Sequence, residues 1–173
     1  MFPVPAKYSW HMIMIRHPFV LVTSTREDGV TNAMALSWWC YASSNPPTLL
    51  ICTSNKGYTG ECIRRTKQFA LCFPTEKIRD GAFRCGTCSG RNTDKLAAFG
   101  LETEAASVID TKLLKYCKAA LECRLVNEIP AGDHTIYVGQ IVETHLEENC
   151  DALYALSGYA QLGTVKADCG EQS

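Results

Sequence analysis

The sequence predicts a mainly β protein, an antiparallel barrel with helices at its periphery. Three observations support this class. Apolar runs are of strand length and separated by turn signals. Successive runs face one another across short turns, as hairpins do, rather than alternating with helices as βαβ units would. Two long strands late in the chain bracket a single tight turn. The 173 residues, 46% hydrophobic and 20% charged, suit one domain over 1–173 with a core of its own.

Taken in order, Pro18 to Ser24 reads as a buried strand and Glu27-Asp28-Gly29 as a hairpin turn, so Val30 to Trp38 returns antiparallel. Asn45-Pro46-Pro47 breaks the chain, because proline fixes φ and carries no N–H. Thr48 to Thr53 is the third strand. Tyr58 to Arg65 reads as a helix, with Ser54 or Asn55 expected as its cap and basic residues in its last turn, where the dipole favours them. Gln68 to Phe73 is a fourth strand, stopped by Pro74, and Thr75 to Ala82 is expected to be a helix capped by Thr75. Arg84 to Gly100 is small and polar, a long functional loop ending in a short helix, Asp94 to Phe99. Ala119 to Ile129 and Thr135 to Leu146 form a hairpin around Pro130-Ala131-Gly132-Asp133, and the last dozen residues are expected to be loosely ordered. There is no internal repeat.

Charge and motif content exclude several functions. A formal charge of −1 and a pI near 6.4 argue against bulk nucleic-acid binding. No apolar stretch approaches the length of a membrane span, and His11, Arg16 and His17 interrupt any signal-peptide core, so a cytoplasmic location is expected. Ten cysteines in such a chain read as reduced thiols; Cys40, Cys52, Cys72, Cys117 and Cys123 lie in apolar runs where cysteine acts as a small hydrophobe. No GxGxxG, GxxxxGK[ST] or GxSxG pattern occurs, and the four histidines are scattered, so no metal site is expected. Cys85-Gly86-Thr87-Cys88 is a lone CxxC, open to a packing role or to redox exchange.

Two segments suit an anion. Thr53-Ser54-Asn55-Lys56-Gly57-Tyr58-Thr59 runs from a strand end into a helix start, where free N–H groups, hydroxyls and a lysine gather. Cys88-Ser89-Gly90-Arg91-Asn92-Thr93-Asp94-Lys95 places a serine, a glycine, an arginine and a lysine near a second helix start. Between them, Asn32-Ala33-Met34-Ala35-Leu36-Ser37-Trp38 is a strand of small residues whose amides can bond the polar edge of a flat ring.

With Arg16-His17-Pro18 ahead, Asn45-Pro46-Pro47 between, and Gly132-Asp133-His134-Thr135 with Val138-Gly139 behind, the ordered set resembles the flavin reductase-like, FMN-binding split β-barrel family, in particular its flavoredoxin-type branch. The resemblance spans roughly residues 14 to 145. It implies a homodimer with a noncovalent FMN per subunit, and hydride transfer from NAD(P)H to the flavin; the alternative it leaves open is an electron carrier with a protein redox partner and no NAD(P)H turnover. A thiol-redox or metal protein on the same barrel is a third reading. By the family pattern the isoalloxazine would lie along Asn32, Ala33, Met34, Ala35, Ser37 and Trp38 and the strand end Cys52, Thr53 and Ser54. Lys56 and Tyr58 would adjoin it, Thr59, Ser89, Gly90, Arg91 and Lys95 would hold the phosphate, and His134 would face the flavin or nicotinamide as the candidate catalytic residue. Asn92 and Leu96 stand where family members more often carry an acid and an aromatic.

Overall fold

A computed structural model describes residues 16–157, 159 and 161–165. The N-terminal segment with His11 and the tail 166–173 lie outside the described residues. The strands are β1 (His17–Pro18), β2 (Val20–Thr25), β3 (Thr31–Leu36), β4 (Trp39–Ser44), β5 (Pro47–Ser54), β6 (Gln68–Pro74), β7 (Thr103–Ala105), β8 (Lys112–Leu114), β9 (Cys117–Ala131), β10 (His134–Leu146), β11 (Tyr154–Ala155) and β12 (Leu162–Gly163). The helices are α1 (Tyr58–Thr66), α2 (Arg79–Arg84) and α3 (Lys95–Phe99). Seven strands form one antiparallel sheet in the order β3-β2-β6-β9-β10-β5-β4, so the mainly β, antiparallel reading is correct.

β2 lies between two apolar clusters. On β2, Val20 and Val22 point inward to meet Leu49 and Ile51 of β5, Phe69 and Leu71 of β6, Leu121 and Cys123 of β9, Tyr137 of β10 and Ile63 of α1. Phe19 and Leu21 turn the other way, toward Ala33, Ala70, Cys72, Ala82, Cys85, Leu113 and Leu114. A period-two strand with both faces covered buries every residue, and full burial of a Val, Leu or Phe stabilises by about 1.5–3 kcal/mol. Trp39 closes the barrel from β4: its ring meets Phe73 of β6 edge-on at 5.1 Å and its Nε1 donates to the Pro18 carbonyl.

Four expectations need correction. The strand expected over Val30 to Trp38 ends at Leu36, and a separate β4 follows; Cys40 to Ser44 are exposed and mostly small or polar, so no hydrophobic alternation marks that edge strand. Cys40 is accordingly exposed rather than a core hydrophobe. Neither Ser54 nor Asn55 caps α1: Gly57 is the cap, Ser54 Oγ accepts from the Lys56 N–H, and the Asn55 side chain ties to the 132–135 turn. The helix expected from Thr75 is a 3₁₀ turn over Glu76–Ile78 followed by α2, and the Thr75 hydroxyl donates to the Tyr116 carbonyl instead of capping. By contrast Asp94 does cap α3, accepting from the Ala97 N–H. No disulfide forms among the described residues.

One carboxylate secures the outer layer. Glu122 on β9 is fully buried and accepts hydrogen bonds from the Ser107, Val108 and Ile109 N–H groups at 2.6, 2.7 and 2.9 Å, with His145 Nε2 at 2.7 Å. Burial raises its pKa, but the three backbone donors and His145 together outweigh it and hold the carboxyl below its ordinary value. A depressed acid stabilises above its unfolded pKa, and the benefit is lost as pH falls. Urea unfolding should therefore show stability declining as pH drops from neutral through the carboxylate range. Glu122→Gln should lower stability at neutral pH by about 1–3 kcal/mol and flatten that decline; a slope unchanged by the substitution would assign the acid sensitivity to other groups.

Candidate functional site

Three segments distant in sequence meet at Asn32. Its Nδ2 donates to Thr59 Oγ1 of α1 at 3.0 Å, with both side chains buried. A Cβ on Gly90 would overlap Asn32 Oδ1, so only glycine lets the 88–94 loop sit this close to β3. The two anion-suited segments thus converge on one side chain. Asn32 Oδ1 itself is buried with no donor among the described residues. Alongside it, the first turn of α1 has no side-chain cap, because Gly57 has nothing to offer; its N–H groups stay open to an anion beside the Thr59 hydroxyl. Gly60 brings that turn down onto β10, since a Cβ there would collide with the Tyr137 hydroxyl.

Among the described residues β3 forms one edge of the seven-stranded sheet and pairs only with β2. The Ala33 carbonyl is turned away from β2, and strand alternation puts the Ala33 and Ala35 main-chain groups on that free edge. Met34 and Leu36 face the barrel interior, whereas Ala33 and Ala35 pack outward against the layer that includes Ala82 and Cys85. Ser37 is buried just past the strand.

Lys95 departs most from the sequence reading. The resemblance put its ammonium on the phosphate, but the residue is 4% exposed and its Nζ donates to the carbonyls of Ala33 at 3.0 Å and Cys85 at 2.7 Å. Burial pushes its pKa down, the Cys85 and Cys88 thiols acting the other way. Cys85 is buried, and its pKa is pushed up to about 11 by burial, with Lys95 offsetting part of the rise. Cys85 therefore lacks the lowered pKa that a reactive thiol would have. No group of three or more His, Cys, Asp or Glu able to hold a metal ion occurs among the described residues.

A second cluster lies at the end of β5. His134 is the register partner of Ser54, its ring lies tilted at 37° against Trp38 with centroids 4.8 Å apart, and its Nδ1 lies 2.7 Å from Asp133 Oδ1. That hydrogen bond holds the Asp133 carboxyl below its usual range. The Trp38 carbonyl accepts from the Cys52 N–H, which fixes the tryptophan against β5. Thr53 is buried, Cys52 half-buried, and Lys56 exposed. Asn55, absent from the candidate set, positions the cluster: its N–H donates to the Asp133 carbonyl, its Nδ2 to Gly132, and its Oδ1 accepts from Thr135.

Arg91 is exposed and already engaged. Its Nη2 meets Glu61 Oε1 at 2.5 Å and its guanidinium lies 4.7 Å from the centre of the Tyr58 ring, so the loop is clasped across the start of α1. Glu61 was missed because an acid in the first turn of a helix reads as a dipole partner. Ser89 is exposed, with its Oγ accepting from the Arg91 N–H.

A family profile described as flavin reductase like domain matches residues 12–163. The chain belongs to the flavin reductase-like family. An uncharacterized protein of Archaeoglobus fulgidus is 30% identical to this family member over 135 residues, 76% of each chain. The flavoredoxin of Methanosarcina acetivorans superposes with a TM-score of 0.84 at 25% identity, covering 98% of this chain and 96% of the other. The flavoredoxin of Desulfovibrio vulgaris (Miyazaki F) gives the same TM-score at 21% identity over 99% of both chains, a likeness of fold. The barrel of this flavin reductase-like chain is thus the split β-barrel that its motif order implied.

The junction can be tested without any ligand. Gly90→Ala should force the loop off Asn32 and lower stability by about 1–3 kcal/mol in thermal or urea unfolding. Adding Asn32→Ala removes the obstructing oxygen, so the double variant should regain part of that loss. Strict additivity of the two changes would show that they do not touch.

Proposed function

We propose that the chain binds FMN noncovalently and works as an NAD(P)H-dependent flavin oxidoreductase. The observation that carries this reading is the Asn32 junction, where an uncapped helix start and Thr59 lie beside a buried acceptor that lacks a donor. Open N–H groups and a hydroxyl suit a phosphate, and ribityl hydroxyls are donors of the kind Asn32 lacks. Thr59, the first turn of α1, Ser89 and Gly90 would hold the phosphate, and Arg91 would join them by exchanging Glu61 for it. The Ala33 N–H and the Ala35 main-chain groups would meet the polar edge of the ring.

The bound flavin supplies the acceptor for a hydride from the nicotinamide ring. The chain's contribution is placement. Trp38 and His134 would wall the site beside the strand end Cys52 to Ser54, with Asp133 and Asn55 holding the histidine's turn in position. Backbone N–H groups on β3 would favour negative charge as it develops on the ring, and no side chain has to move a proton.

A second reading, an electron carrier that keeps FMN bound and exchanges electrons with a redox protein, is favoured by the likeness to a flavoredoxin along almost the whole chain. Oxidation of NADH and NADPH in the presence of added FMN separates the two. Turnover is expected; none with either nucleotide would leave the carrier, and protein that takes up no FMN would remove both. Thr59→Ala should weaken FMN binding by about 1–3 kcal/mol while changing riboflavin binding little, because only FMN carries the phosphate. Equal losses for both would mean that Thr59 does not meet the phosphate.

A homodimer fits the same picture. β4 is the other sheet edge, its residues from Cys40 to Ser44 are exposed, and Tyr41 is 64% exposed. A second copy is the occupant its pairing edge and aromatic side chain suit. Sedimentation should give a dimer that Tyr41→Lys weakens; a monomer at all concentrations would overturn the assignment.

A further inference from the structure

Lys95 is more deeply buried than its charge would favour. It opens α3 at 4% exposure and donates to the carbonyls of Ala33 and Cys85. Among the described residues the groups acting on its charge are the Cys85 and Cys88 thiols, with no carboxylate. Burying an ammonium without a counter-ion costs several kcal/mol. A neutral donor, a glutamine amide for instance, could bridge two carbonyls without that penalty. What only the charge adds is a positive potential behind the free edge of β3.

We propose that Lys95 is a positioning residue with an electrostatic role: its buried charge, held on the Ala33 carbonyl beside the Ala33 N–H and the Ala35 main-chain groups, favours the reduced, negatively charged form of a flavin lying along that edge over the neutral oxidised form. This rests on the flavin reading above. Two electrons and one proton, delivered together as hydride by a dihydronicotinamide, convert the neutral oxidised ring to a reduced ring bearing one negative charge; the nicotinamide leaves oxidised by two electrons. With dithionite the same electrons come from the reductant and the proton from water. The positive charge acts on the product of that change and barely on the starting state, and low polarity around Lys95 lessens its screening.

The test compares Lys95→Met, which keeps the aliphatic stem without charge, with Lys95→Gln, which keeps a donor without charge. FMN bound to each protein is reduced stepwise with dithionite against a reference dye, and affinities for oxidised and reduced FMN are measured separately. Both variants should bind oxidised FMN much as the wild type does, bind reduced FMN roughly tenfold more weakly, and show a more negative potential. A wild-type potential in Lys95→Gln would make hydrogen bonding sufficient and overturn the proposal, as would an unshifted potential in both variants. Should both neutral variants melt too readily to assay, the wild type decides. Its bound reduced FMN should keep the absorption of the anionic form at mildly acid pH, where free reduced FMN takes up a proton; protonation at the same pH as free FMN overturns the proposal. Wild-type protein that binds no FMN at all is a separate result, seen first, that removes the flavin reading and this proposal with it.

Discussion

An open sheet edge is the constraint around which this molecule is arranged. Among the described residues β3 pairs on one side only, and unpaired N–H and C=O groups on an edge either find partners or recruit another chain. Here the 85–95 segment supplies the cover. Lys95 takes the Ala33 carbonyl, and Gly90 lies against Asn32. Cover at those two points leaves a stretch of backbone flanked by small side chains, the surface to which the proposed flavin ring is assigned.

The same segment couples that edge to α1. Asn32 bonds Thr59, and Arg91 crosses to Glu61 and Tyr58 on the first turn. α1 is in turn seated on the barrel by Ile63 in the interior and by Gly60 on Tyr137, while Asn55, just before it, holds the 132–135 turn that carries His134. The phosphate-suited end and the Trp38–His134 end are therefore two sides of one helix entry. Exposed ion pairs such as Arg91–Glu61 contribute little to stability, which leaves that arginine available to exchange partners.

Legibility from sequence followed the physical origin of each feature. β2, β5, β6, β9 and β10 carry apolar runs that reflect burial on at least one face, and burial is written locally as hydrophobicity. β4 has no such pattern because its environment is solvent on most positions, and its pairing with β5 is a backbone event that composition does not record. The cap of α1 was misplaced for a related reason. Ser54 and Asn55 are good capping types, but the 132–135 turn competes for Asn55, and that turn is far away in sequence.

The sequence by itself determined the antiparallel class, the order of the turns, and the two segments whose hydroxyls, glycines and basic residues suit an anion, because those depend on local composition and spacing. Only the tertiary structure decided what each polar side chain does. It turned Lys95 from an expected phosphate ligand into a buried tie beneath β3, gave Arg91 to Glu61, raised the pKa of Cys85 by burying it, and set Asn32 between Thr59 and Gly90. The reason is that a charge or an amide is defined by its neighbours, and here those neighbours come from strands and loops tens of residues apart.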